Sequence, residues 1–324
     1  MELGISGQAL GEVMSFGDIV DIGKKYGIRH FELWPCNVPG SGFGYRDRDI
    51  AAIQKIRDEK SIRIDCVTLE AAFSRKAVET PEFYIGLLKG AIDAAKAVGA
   101  RLVNHYCYFI NMEEAPDFSR MDAFWKQPLA YAKEKGITLV LENEAHDATR
   151  RPELMRAIME HYGDEAFLTN FDAANYFQAG AEAFPAGYEI LKPYIGYIHL
   201  KNACLHREGA GQPKENRGAP MSGIFAPALV QYAPIPEGSV NIAGFLTAVE
   251  KDGLYRGTCT LEPHTQPECV ESFYEKESAW LREKGYFPVC ELMCCHKTIS
   301  HFYGNGGRKS NVGSSSEEAG RACN

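Results

Sequence analysis

An apolar run of strand length followed by a segment of helical period recurs eight times along this chain, and that alternation limits its possible folds more than any other feature. The runs are residues 2–7, 30–35, 63–70, 101–106, 138–143, 167–175, 197–203 and 257–264. Between them, 49–60, 81–98, 152–162 and 242–249 carry apolar residues three and four apart, the mark of one buried helix face. Gly27, Gly99, Gly136, Gly163 and Gly253 follow helical segments where a left-handed stop is needed. Pro81 and Pro152 suit first-turn positions. Alternating strands and helices predict parallel β/α units, and eight of them predict a closed (β/α)8 barrel in one domain, residues 1–286. An open doubly wound sheet is the alternative, but no Gly-x-Gly-x-x-Gly follows the first run. The 204–240 stretch, rich in Gly, Pro and polar residues, is expected to be a long loop after the seventh strand. Residues 287–324 lose periodicity and are expected to be disordered.

Charge narrows the partners. Lys and Arg total 35 against 43 Asp and Glu, with no basic cluster, so a nucleic-acid partner is not expected. No run approaches a membrane span, and the N-terminus lacks the pattern of a signal peptide. A cytosolic protein is expected. None of the ten cysteines forms a Cys-x-x-Cys pair, which argues against a structural zinc site.

A parallel barrel carries its chemistry at the C-terminal ends of its strands. There, four consecutive strands each deliver one metal-competent side chain: Glu142 from TLVLEN, Asp172 from FLTNFD, His199 from YIHLK and Glu262 from TCTLEPH. Three carboxylates and one imidazole form a hard ligand set suited to one divalent ion, Mn²⁺ first, with Mg²⁺, Co²⁺ or Zn²⁺ as alternatives. Such an ion stabilises the enolate left when a proton departs from the carbon beside a carbonyl.

The neighbours of these four residues supply candidates for base and substrate contacts. His146, in the loop after the fifth strand, is either a general base or a loop histidine bonded to Asp147 or solvent. Glu144 shares the parity of Glu142 and could support it. His105 either lines the pocket or packs structurally. Lys201 shares the parity of His199 and either binds an oxyanion or is a solvated lysine at the rim. Glu32 and Trp34 end the second strand, where Trp34 either stacks on a sugar or aglycone face or packs. His264 shares the parity of Glu262 and is a candidate substrate contact.

The motifs LVLENE, NFDAAN, YIHLKN and TLEPH resemble those of the xylose-isomerase-like superfamily, which includes sugar isomerases and epimerases, inosose dehydratases and endonuclease IV. By that resemblance Glu142, Asp172, His199 and Glu262 match the family's metal ligands. It also implies that Glu142 and Glu262 act as acid and base, as in ketose epimerases. Those enzymes tend to carry a histidine three residues after the Asp ligand; here the position is Asn175. Endonuclease IV uses several metals and many histidines, whereas this acidic chain has nine.

Within the superfamily, the motif set and His146 resemble the catalytic subunit of bacterial C-glycoside deglycosidases. That resemblance implies a lyase cleaving the carbon–carbon bond of a 3-oxo-glucoside, and a small β-sandwich partner subunit. Asn175 and the long loop fit a substrate larger than a free ketose. The alternatives are a ketose or polyol isomerase or epimerase, and a non-catalytic sugar-binding barrel. An oligomer is expected.

Overall fold

Eight short parallel strands close on one another, because each apolar run pairs with the next and the last returns to the first. The structure, a computed structural model, describes residues 1–8, 14–38, 44–206 and 230–288. The barrel strands are β1 (Glu2–Ser6), β2 (His30–Leu33), β3 (Arg63–Thr68), β4 (Leu102–His105), β5 (Thr138–Glu142), β6 (Phe167–Asp172), β7 (Ile195–Leu200) and β10 (Thr258–Leu261). They form a closed barrel in which β10 pairs with β1 and β7. Two further strands, β8 (Asn202–Leu205) and β9 (Val230–Ala233), make a separate antiparallel pair.

The helices between the strands are α1 (Phe16–Lys25), α2 (Asp47–Lys60), α3 (Pro81–Val98), α4 (Phe118–Lys135), α5 (Pro152–Tyr162), α6 (Ala173–Gln178), α7 (Tyr188–Leu191), α8 (Ile242–Asp252) and α9 (Val270–Glu283). Their ends follow local chemistry. Ser15 and Asp18 form a reciprocal capping box on α1, and Thr80 caps α3 ahead of Pro81. Gly99 and Gly136 stop α3 and α4 in the left-handed conformation, which glycine adopts without steric cost. Among the described residues no helix is long and apolar enough to cross a membrane.

The barrel interior is layered. At the bottom, Cys66, Val140 and Tyr197, with Leu102 and Leu168, form an apolar plug. Successive side chains of a strand point to opposite faces, so the next interior residue lies two positions on. There the interior turns polar with Thr68, Asn104, Glu142, Asn170 and His199, all buried. Two positions further lie Glu70, Tyr106, Glu144 and Lys201, in the wall of an open cavity.

One expectation changes. The stretch after the seventh strand is not loop throughout: its ends pair as β8 and β9, and residues 207–229 lie outside the described residues. Ala203, Val230 and Tyr232 pack with Phe177 of α6. Asn202 pins the base of this hairpin, donating to the carbonyls of Ile235 and Val240 at 2.9 and 3.1 Å and accepting from the Val240 amide. The expected disordered tail falls outside the described residues from 289 onward. Phe287, at its start, is buried in the main core.

Candidate metal centre and cavity

Glu142, Asp172, His199 and Glu262 meet at the top of the barrel interior, all buried, each offering a ligand atom within 4.8 Å of the others. Strand ends deliver them, and hydrogen bonds aim them. Glu142 Oε2 accepts from the side-chain amides of Asn104 at 2.9 Å and Asn170 at 3.2 Å. Its Oε1 accepts from Asn175 at 3.3 Å. Asp172 caps α6: Oδ1 accepts the amides of Ala174 and Asn175 at 2.8 and 2.9 Å. Asp172 Oδ2 faces the buried Lys201 ammonium at 2.8 Å. Ser6 donates to Glu262 Oε1 at 3.3 Å.

These features fit a divalent ion. The donors are three oxygens and one nitrogen, a hard set. Buried carboxylates are costly without a compensating charge, and three of them, Glu142, Asp172 and Glu262, converge here on a single imidazole.

Lys201 is not a solvated rim lysine. Its ammonium is buried, 2.8 Å from both Asp172 Oδ2 and Glu262 Oε2. Burial opposes its charge, but Asp172 and Glu262 hold its pKa well above the usual lysine value. Burial also opposes the His199 imidazolium, yet Glu142, Glu262 and Glu32 together raise its pKa well above the ordinary value. Glu262 behaves in the converse way: burial favours its neutral form, but His199 and Lys201 keep it ionised well below the usual range.

Above this centre opens a cavity of about 730 Å³, within the size range of small-molecule sites. One side is polar, with Glu142, Glu144, Asn175, Lys201, Glu262 and His264. Burial and the neighbouring Glu142 raise the Glu144 carboxyl well above the usual carboxylate range. His264 lies 3.4 Å from the Lys201 ammonium and packs on Tyr232, and burial followed by Lys201 lowers its pKa. The other side sets Glu70 and Ser74 beside a group of aromatic residues: Trp34, Phe73, Tyr106, Tyr108 and Phe109. Their ring centres are 6.1 Å apart for Trp34–Tyr106, 4.6 Å for Phe73–Tyr106 and 4.7 Å for Tyr108–Phe109. Trp34 is thus both packed and part of the cavity wall.

His146 stands where the two sides join, edge-on to Tyr108 at 5.6 Å. Its Nδ1 has no hydrogen-bond partner, and it is not bonded to Asp147, whose Oδ1 is taken by Thr149. Burial lowers the His146 pKa, so at neutral pH the ring is an unprotonated imidazole.

His105 is a correction. It lies one residue out of phase with the interior Asn104 and faces the helices. Its ring packs edge-on against Trp125 and Phe167 at 5.2 and 5.5 Å, fully buried and away from the cavity wall. Burial holds its pKa near 3. The sequence NHY offered three polar-capable residues and no alternation to fix the inward face. Sequence reading also missed Asn104, Asn170 and Tyr232. The parity of Glu142 and its neighbours could have found the two asparagines. Nothing local pointed to Tyr232, which β9 carries into the cavity wall from a region expected to be loop.

Residues 20–284 match the family described as xylose isomerase-like TIM barrel, and the chain belongs to that family. Among solved structures it is similar to a xylose isomerase-like TIM-barrel protein from Mycobacterium smegmatis in complex with magnesium, at 16% identity and a TM-score of 0.65, covering 87% of this chain and 97% of that one. It is similar to a probable 3-DHS dehydratase, AsbF, from Bacillus anthracis, at 14% identity and a TM-score of 0.64, covering 87% and 99%. A D-tagatose 3-epimerase-like protein aligns at 15% identity and a TM-score of 0.61, covering 88% and 99%. At these identities the likeness is one of fold. No curated protein matches the chain.

Proposed function

We propose that this protein is a divalent-metal-dependent enzyme that removes a proton from the carbon beside a carbonyl of an oxidised sugar. Its proposed substrate is a 3-oxo C-glucoside bearing an aromatic aglycone, cleaved by β-elimination. The observation that carries this reading is the two-sided cavity. A hard ligand cluster and a cationic lysine line one side, an aromatic wall lines the other, and an unprotonated histidine stands between them.

In this reading Glu142, Asp172, His199 and Glu262 hold the ion, Mn²⁺ being the first expectation. The ion supplies Lewis-acid stabilisation of negative charge developing on the sugar's carbonyl oxygen. His146 takes the proton from C2, beside the C3 ketone, and becomes imidazolium. The C2 electron pair forms the C1–C2 double bond, and the bond from C1 to the aglycone breaks with its pair on the aglycone carbon. Glu144, whose carboxyl burial and Glu142 push towards its neutral form, is placed to give a proton to that carbon. The products are the free aglycone and an unsaturated keto-sugar. Lys201 and His264 orient sugar oxygens, Asn175 restrains Glu142, and the aromatic wall receives the aglycone. A small β-sandwich partner subunit and an oligomeric state belong to the same proposal.

A ketose or polyol epimerase is the second reading. It is favoured by one arrangement: Glu142 and Glu262 both line the cavity, where two carboxylates would face one bound sugar. One assay separates the two. Metal-loaded protein is incubated with a 3-oxo C-glucoside and, separately, with free ketoses. Aglycone release is expected; an epimer without aglycone release would replace the lyase with the second reading.

A further inference from the structure

The imidazole of His199 is held from both sides. Nδ1 lies among the ligand atoms, 3.1 Å from Glu142 Oε1 and 3.3 Å from Glu262 Oε2. Nε2 points the other way, 2.8 Å from Oε2 of Glu32. Glu32 comes from β2 and is fully buried. Its second oxygen, Oε1, accepts a hydrogen bond from the Thr68 hydroxyl on β3. Glu32 is not one of the four clustered ligands, and no other hydrogen bond or ion pair is found for its side chain among the described residues.

A buried carboxylate costs free energy unless something is made of its charge. Here the chemistry of the contact is specific. A metal-ligating histidine commonly donates its other ring N–H to a carboxylate, and Nε2 stands 2.8 Å from Oε2 of Glu32 to do so. A metal ion at Nδ1 would displace any proton there and use its lone pair, so the one proton the ring keeps is on Nε2. That lone pair faces Glu142 and Glu262. An anionic partner on the far nitrogen also makes the ring a stronger ligand.

We propose that Glu32 is the positioning residue of the metal centre. It fixes His199 in the Nε2–H tautomer and presents Nδ1 to the divalent ion, while Thr68 fixes Glu32. This rests on the reading of the four-residue cluster as a metal site. It assigns a function to a second-strand residue that does not itself belong to the ligand set.

The test uses the full chain, with Co²⁺ and Zn²⁺ as probes. Wild type is expected to take up one Co²⁺ with a defined visible spectrum. Glu32→Ala is expected to weaken Co²⁺ binding by about 10–100-fold, the usual loss when such an outer partner is removed, and to shift the spectrum. Glu32→Gln still accepts from Nε2–H, because the Thr68 hydroxyl can turn to accept from the new amide. It is expected to keep the wild-type spectrum with a smaller loss of affinity. It also tests the idea if the alanine variant does not fold. In ¹⁵N-histidine-labelled, Zn²⁺-loaded wild type, His199 is expected to show a protonated Nε2 and a metal-bound Nδ1. Folded variants that bind Co²⁺ with wild-type affinity and spectrum would overturn the role of Glu32 alone, as would a metal-bound Nε2. A wild type that takes up no Co²⁺ would overturn the metal reading and this inference with it.

Discussion

The two sides of the cavity are built on different principles. On the side of β5, β6, β7 and β10, the four clustered ligands stand at or within one residue of a strand end and are aimed by hydrogen bonds and ion pairs. Glu142 alone accepts from Asn104, Asn170 and Asn175. On the side of β2, β3 and β4, Phe73, Tyr108 and Phe109 come from short turns beyond the strands, and the rings hold one another by contact rather than by hydrogen bonds. Phe73 is 40% exposed, whereas the four clustered ligands are buried. The difference teaches that the polar side is preorganised for one geometry, while the aromatic side offers a surface that tolerates variation in what lies on it. Chemistry should therefore break when the first side is touched, and selectivity when the second is.

The largest effect is expected at Glu142. Glu142→Ala removes a ligand and strands three asparagine donors. Metal content should fall below stoichiometric, and turnover should drop on the order of 10³-fold or more. Retained metal would show that the polar side is not a metal centre. Next comes His146→Ala, which should cost roughly 10²–10⁴-fold in kcat with metal content unchanged. The sign of its pH dependence follows from burial, which disfavours the imidazolium and sets its pKa below the ordinary 6.5. The base is lost as pH falls through that lowered pKa. The acid limb of kcat/KM should therefore lie below the pH of an ordinary histidine and disappear in the variant.

Smaller effects probe the aromatic side. Phe73→Ala or Trp34→Ala should raise KM for an aryl-bearing substrate by up to about tenfold, the scale of one aromatic contact. A substrate without the aryl group should be unaffected. Equal losses on both substrates would dissolve the distinction between the two sides. The smallest effect is expected at His105→Phe. Both ring nitrogens of His105 are buried without partners, so an apolar ring of similar shape should leave Tm unchanged or raised, and kcat unchanged. A loss of turnover with metal intact would bring His105 back into the site.

The alternation of eight apolar runs with helical segments determined the barrel, because a strand covered by helices must be apolar on its outer face and a helix must show one apolar stripe. Strand period did the same for the metal cluster. Glu142, Asp172, His199 and Glu262 each stand at the end of such a run, and a parallel barrel brings all strand ends to one rim. The same period, extended to β1–β4, would have revealed Asn104 and Tyr106 as inward-facing. Other features depended on tertiary structure, because their partners lie far apart in the chain. Glu32 meets His199 across the barrel interior, 167 residues away in sequence, and barrel closure sets that distance. Tyr232 reaches the cavity because β9 pairs with β8 and packs on α6, a pairing with no periodic signal in a Gly- and Pro-rich stretch. His105 turned on a single residue of phase at a strand end where neither neighbour was apolar. The sequence determined which groups gather at the rim; closure of the barrel decided which nitrogen of His199 faces which carboxylate.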